Sequence, residues 1–158
     1  YQPIDWHEAE WPDALDDALS ANLVAPMRLA RELAEGMARR GGGRLVFVGS
    51  IVATTGGSFP GVGPHYAASK GGLHTLVRWL AGRYTAQGVL ANAVAPGLTN
   101  TSMVSQMPGL QAALAHHPMG RPAEPDEIAW PIAFFCSPGA SFISGAILDV
   151  NGGSMMRP

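Results

Sequence analysis

One cysteine, few charges and no long apolar run set the first limits on this 158-residue chain. Cys136 is the single thiol, so an internal disulfide framework is excluded. Its neighbours Ile132, Phe134 and Phe135 predict a buried, inert thiol in a reducing compartment. Charged residues make up 14% of the chain and nearly cancel, to a net −2, and the pI is about 6.2. That balance gives no electrostatic ground for binding nucleic acid or an anionic membrane. No apolar run approaches the roughly 20 residues that span a bilayer. The first residues, with Asp5, Glu8 and Glu10, are acidic and unlike a signal peptide, so the cytoplasm is expected. No metal site is indicated: His116 and His117 are adjacent and lack a spaced third ligand. Surface or oligomer-contact positions are expected for both.

What is present is a well-packed globular composition, 47% apolar with 20 glycines and 13 prolines. The length suits one domain with a proper core. Pro12 fits the first turn of a helix predicted to run to about Arg39, with Gly41 as its stop. Leu15, Leu19, Leu23, Met27 or Ala30, and Leu33 give that helix one apolar face. A short buried strand is predicted at 44–49, after Gly41-Gly42-Gly43. A helix from about Tyr66 to Ala86 follows, then a strand at 89–95. An irregular stretch from Pro96 to about Pro122 leads to a helix begun near Glu124-Pro125 and ended by Ser137-Pro138. Pro131 should kink that helix or shorten its hydrogen bonding. A last strand is expected over Ala146 to Val150. Helices alternating with short continuous apolar strands predict an α/β fold with a parallel sheet.

The chemistry concentrates in Gly49-Ser50 and in Tyr66-Ala67-Ala68-Ser69-Lys70. Tyr66 and Lys70 are four apart, so on a helix they share a face about one turn from each other. A phenol alone titrates near 10, too high to trade protons easily at neutral pH. An ammonium about 4 Å away contributes on the order of 4 kcal/mol at an effective dielectric near 20, or two to three pKa units. That brings Tyr66 into the range of general acid–base work. A Tyr and a Lys at this spacing form a weak pattern by themselves, and the weight comes from the order of the neighbouring motifs. Asn22 lies upstream in Ser20-Ala21-Asn22-Leu23. Pro96-Gly97-Leu98-Thr99-Asn100-Thr101 ends the second strand, and Asp149-Val150-Asn151-Gly152-Gly153 closes the chain.

This ordered set resembles the short-chain dehydrogenase/reductase family, in its compact single-domain branch, over essentially the whole chain. The resemblance implies the C-terminal part of a doubly wound Rossmann-type parallel sheet in three layers, α/β/α, with residues 1–158 as a single partial domain. It implies a catalytic set of Asn22, Ser50, Tyr66 and Lys70. Tyr66 would exchange a proton with a carbonyl oxygen, Lys70 would lower the Tyr66 pKa and hold the nicotinamide ribose, and Ser50 would orient the carbonyl. Asn22 would hold a water that links Lys70 to solvent. Tyr66, Lys70, Pro96, Gly97, Thr99 and Thr101 are the positions implied to meet the cofactor, NAD or NADP. The implied substrate is a small carbonyl or alcohol, and the implied assembly is a homo-oligomer, dimer or tetramer. Its interface would use the helices of residues 12–39 and 66–86, with Gly82 as a place of close helix approach.

The family's opening glycine turn and the Asn-Asn-Ala-Gly stretch after its fourth strand do not occur in these residues. The chain therefore reads as the catalytic half of a dehydrogenase, inactive alone. Gly57, Gly61 and Gly63 have the literal spacing, but Pro60 and Pro64 interrupt them, and Val77 stands where a ribose-binding acid is wanted. They read as a loop shaping the substrate mouth. The strand at 44–49 should present an open apolar edge. Met103, Met107 and Met119 around the 98–118 stretch suit an adaptable substrate cover or, equally, a surface loop. His65 would touch substrate or face solvent. Two other classes stand beside this reading. One is a binding or assembly module that kept the fold without the cofactor site. The other, a hydrolase with Ser50 as nucleophile, needs a sharp Gly-x-Ser-x-Gly turn that Val48-Gly49-Ser50-Ile51-Val52 does not supply.

Overall fold

A computed structural model describes residues 4–57, 62–105, 107 and 109–157. The chain opens with α1, Trp11–Leu19, passes through a π-helical turn, Ser20–Val24, and continues as α2, Ala25–Arg39. Strand β1 is Gly43–Val48, followed by the single-turn α3, Val52–Thr55, and the long α4, Pro64–Tyr84. Strand β2 is Val89–Pro96. Two short helices follow, α5, Ser102–Ser105, and α6, Leu110–Ala115, before α7, Pro125–Cys136, and β3, Ile147–Val150.

The sheet is parallel, in the order β1-β2-β3, with Gly43 opposite Val89 and Ala93 opposite Ile147. Both faces of β2 are covered, which is why Val89 to Ala95 are all buried and read as a continuous apolar run. On one face Leu73, Leu76 and Leu80 of α4 and Ala30 and Ala34 of α2 pack over Leu45, Val89 and Ala91. On the other face Ile128 and Phe135 of α7 cover Val94. Each fully buried leucine or valine contributes about 1.5–3 kcal/mol, so these two layers hold the sheet in place. Asn92 is the polar member of β2, and its amide is satisfied by Ile143 O at 2.8 Å and the Ala146 N–H at 2.9 Å. It thereby ties β2 to the approach to β3.

The elements match the expected order, with corrections that have physical causes. The helix expected as one piece over 12–39 contains the π turn. In an α-helix Pro26 would have to bond the carbonyl of Asn22, but it has no N–H and its ring would strike that oxygen. The wider turn relieves the conflict. The stretch expected to be irregular holds α5 and α6. Helix α7 runs on through Pro131. Cys136 is exposed, not buried, because Ile128, Ile132 and Phe135 make the inward face of α7 and the thiol falls off it. A side chain at Gly82 would meet nothing within 4 Å in this chain. Pro60 and Gly61 lie outside the described residues. Among the described residues, no helix is long and apolar enough to cross a membrane.

Candidate active site

The candidate residues gather where β1 and β2 end side by side. The Gly49 N–H donates to Val94 O at 2.8 Å and the Ile51 N–H to Pro96 O at 3.1 Å. Ser50 is thus pinned between two bonds to the end of β2, and it is buried. Its Oγ accepts from the Val52 N–H at 3.3 Å. That bond uses a lone pair, so the hydroxyl hydrogen remains for donation.

Helix α4 supplies the phenol and the ammonium. Pro64 takes its first turn, where a missing N–H costs nothing. Tyr66 and Lys70 follow on successive turns of one face, with Nζ of Lys70 5.8 Å from the centre of the Tyr66 ring. Nζ donates to Val48 O at 3.0 Å, so the ammonium is anchored two residues before Ser50. Burial pushes the Lys70 amine below its ordinary pKa, because desolvation disfavours the charged form.

Asn22 sits in the middle of the π turn, a feature common at functional sites. Its Nδ2 donates to Ser69 Oγ at 3.1 Å, and Ser69 Oγ donates to Tyr66 O at 2.8 Å. Ser69 is completely buried, so this chain of bonds ties the π turn to the backbone of Tyr66 inside the core. Leu23 packs directly on Gly72, where a Cβ would stand 2.8 Å from Leu23 Cδ2. Asn22 and Lys70 both line a cavity of about 350 Å³ along the open edge of β1, with Val46, Phe47 and Val48. Asn22 and His65 border another of about 440 Å³, with Asp17 and Ser20.

The structure thus brings Asn22, Tyr66 and Lys70 together and holds Ser50 beside them through Val48 and β2. Pro96 and Gly97 join through the Ile51 bond and through the Gly97 N–H, which donates to Val150 O at 3.0 Å. The Thr99 and Thr101 hydroxyls bond within their own loop, while the Thr99 backbone forms a bridge with Ala123. Thr99 Oγ1 donates to Gly97 O at 3.3 Å, and exposed Thr101 accepts from the Val104 N–H at 3.5 Å. His65 does not face solvent: it is 1% exposed and lies edge-on to Trp11. His117 Nδ1 accepts from the Met119 N–H, and among the described residues no group of three His, Cys, Asp or Glu is placed to hold a metal.

Two buried residues were passed over in the sequence. Ser69 stands inside the Tyr66–Lys70 motif, and its helical spacing from Tyr66 was the available signal. His74 is one further turn along the same face, 3% exposed. Burial, then the charges of Arg157 and Arg78, push its imidazole down to about 4 against a weaker pull from Asp149.

A parallel sheet covered on both faces, with phenol, ammonium and hydroxyl at the ends of its strands, defines an α/β protein of Rossmann type. The chain belongs to the short-chain dehydrogenase/reductase family, and its residues 5–155 match the family model described as enoyl-(acyl carrier protein) reductase. It is 38% identical over 151 residues to 3-oxoacyl-[acyl-carrier-protein] reductase of Vibrio cholerae, covering 94% of this chain and 59% of that protein. The crystal structure of a 3-oxoacyl-[acyl-carrier protein] reductase from Brucella melitensis superposes with a TM-score of 0.87 at 31% identity, over 96% of this chain and 56% of that one. A Beutenbergia cavernae protein, named for a proposed NAD(P)-dependent gluconate 5-dehydrogenase activity and solved with NADP at low occupancy, gives 0.79 at 34% identity, over 85% and 55%. The chain therefore spans less than two thirds of the length of these relatives.

Proposed function

We propose that these residues are the catalytic half of an oxidoreductase that moves hydride between NAD or NADP and a small carbonyl or alcohol. The observation that carries the reading is the fixed trio at the end of β1: Lys70 anchored to Val48 O, Tyr66 one turn away, and buried Ser50 two residues on. Lys70 fits a cofactor ribose because its amine stands at a cavity it shares with Asn22 on the open edge of β1. The cofactor supplies or accepts the hydride. Tyr66 gives a proton to the carbonyl oxygen in reduction and takes it from the alcohol in oxidation. Lys70 keeps the phenol acidic enough for both, and Ser50 holds the oxygen by donating its hydroxyl. Asn22 keeps α4 in register through Ser69 and orders a water toward Lys70. Pro96, Gly97, Thr99 and Thr101 meet the nicotinamide end.

Among the described residues, the turn that leaves β1 through Gly49 opens only the single-turn α3, not the longer helix whose N-terminus cradles a pyrophosphate. The 158 residues alone therefore neither hold the cofactor tightly nor turn over. Exposed Leu29 and Leu33 on α2 and Trp79 on α4 suit a homo-oligomer interface, and a cytoplasmic setting fits the single thiol. The test is oxidation of an alcohol by a form of the protein that also carries a dinucleotide-binding half, called the complete form below. Its rate should need one deprotonated group with an apparent pKa well below 10. A rate still climbing steeply past pH 10 would mean that Lys70 does not activate the phenol.

A further inference from the structure

The end of β1 is held by α4 on consecutive turns, and the third contact has no role in the chemistry above. Tyr66, Lys70 and His74 recur at four-residue spacing on one face of α4. Lys70 takes Val48 O. His74 takes the next residue, since a Cβ placed on Gly49 would overlap its Nε2 and stand 2.8 Å from its Cδ2. The imidazole edge fills the space where residue 49 would carry a side chain, immediately before Ser50. Among the described residues Nε2 has no hydrogen-bond partner, an arrangement that a leucine at this core position would avoid.

We infer that His74 is a positioning residue for Ser50: packed on Gly49, its ring sets how closely the Ser50 turn lies against Tyr66 and Lys70. The inference deepens the oxidoreductase reading and rests on it for what Ser50 does. The surroundings explain why the ring stays neutral. Facing it are Lys70 and Arg78 from α4, Arg157 from the C-terminal segment and Asp149 from β3. Asp149 is already engaged by both Nε and Nη2 of Arg157, at 2.6 and 2.9 Å. A proton on His74 would add a cation to three others beside one committed carboxylate. To carry it, the ring must leave Gly49, and the Ser50 turn then loses its seat. Gly49 contributes no charge and no bulk, which is what the close approach demands.

Side-chain and backbone NMR of the 158-residue chain from pH 7 to 3.5 tests the contact without any need for activity. The His74 ring should titrate near 4, and the Gly49 and Ser50 amide signals should move with it. In His74→Leu those amides should show no such step, which separates His74 from carboxylates that titrate in the same range. In the complete form, His74→Ala and Gly49→Ala should each lower kcat by roughly ten- to hundredfold while leaving the cofactor KM within about twofold, as expected for misplacement of an orienting group. His74→Leu, which refills the space, should recover most of that loss at neutral pH. A His74 that titrates near 6.5, Gly49 and Ser50 amides that ignore its titration, or an unchanged kcat in His74→Ala would overturn the inference. A complete form without dehydrogenase activity, in which Ser50 still follows His74, would support the seat and remove the function.

Discussion

The α4 side of the site and the segment after β2 carry the same kinds of polar side chain but hold them differently. Around α4 the bonds span long stretches of chain: Asn22 reaches Ser69, and Lys70 reaches Val48. They run through the core, with Ser69 and His74 almost fully buried. After β2 the side-chain bonds are mostly local and exposed, apart from Asn100, which reaches the Glu124 carboxylate. Thr99 turns back to Gly97, Thr101 caps α5, and exposed Arg121 grips Glu127 across a helix N-terminus. That grip and the Glu124 N–H hold the Glu127 carboxyl down at about 2. The candidate acid–base residues are therefore held through the packed core, while the segment after β2 is held by short turns and by a pairing of residues 98–100 with Ala123 and Glu124. Relatives named for acyl-carrier and sugar-acid substrates share this fold, as expected when one region is fixed and the other is free to vary.

The contrast can be broken first at Ser50. Ser50→Ala in the complete form should lower kcat by about a hundredfold, roughly 3 kcal/mol for a lost oriented donor, with cofactor affinity little changed. Normal turnover with weakened cofactor binding would move Ser50 from chemistry to structure. Acid should weaken the α4 side next. His74 titrates near 6.5 when unfolded and about 4 when folded, so the unfolded chain takes up the proton first. Its contribution to stability is whole above pH 6.5, falls as pH drops toward 4 and levels off below. The total is at most about 3 kcal/mol. Urea midpoints at pH 7 and pH 4.5 should diverge less in His74→Leu than in wild type, and equal divergence would contradict the assigned shift. The smallest effects sharpen the comparison. Ser69→Ala removes a part-buried bond to Asn22 and should cost about 1 kcal/mol. Thr101→Ala, on the exposed rim, should stay within about 0.5 kcal/mol. Similar Tm losses for the two would show that the regions do not differ as described.

Much of this was legible in the residues. Gly-flanked apolar runs placed all three strands to within a residue, and the Tyr66–Lys70 spacing predicted a shared face that α4 provides. What escaped depended on tertiary contact or on a local conflict. Pro26 announced the π turn, but the apolar periodicity runs through it unchanged. Cys136 lay among apolar neighbours in sequence, yet the face of α7 is set by 100° steps, not by adjacency. His65 and His74 look like surface residues until Trp11 and Gly49 close over them. Ser69 showed its residue type and spacing, but its partner stands 47 positions away.

Hydride transfer by Tyr66→Phe in the complete form bears most directly on the central claim, because the ring and its packing stay while the phenol hydroxyl proposed as the acid is removed. Carbonyl reduction should fall by about 10²–10⁴-fold, with an unchanged Tm. Activity within tenfold of wild type, in a protein with the same Tm, would contradict the assignment of Tyr66 as the acid.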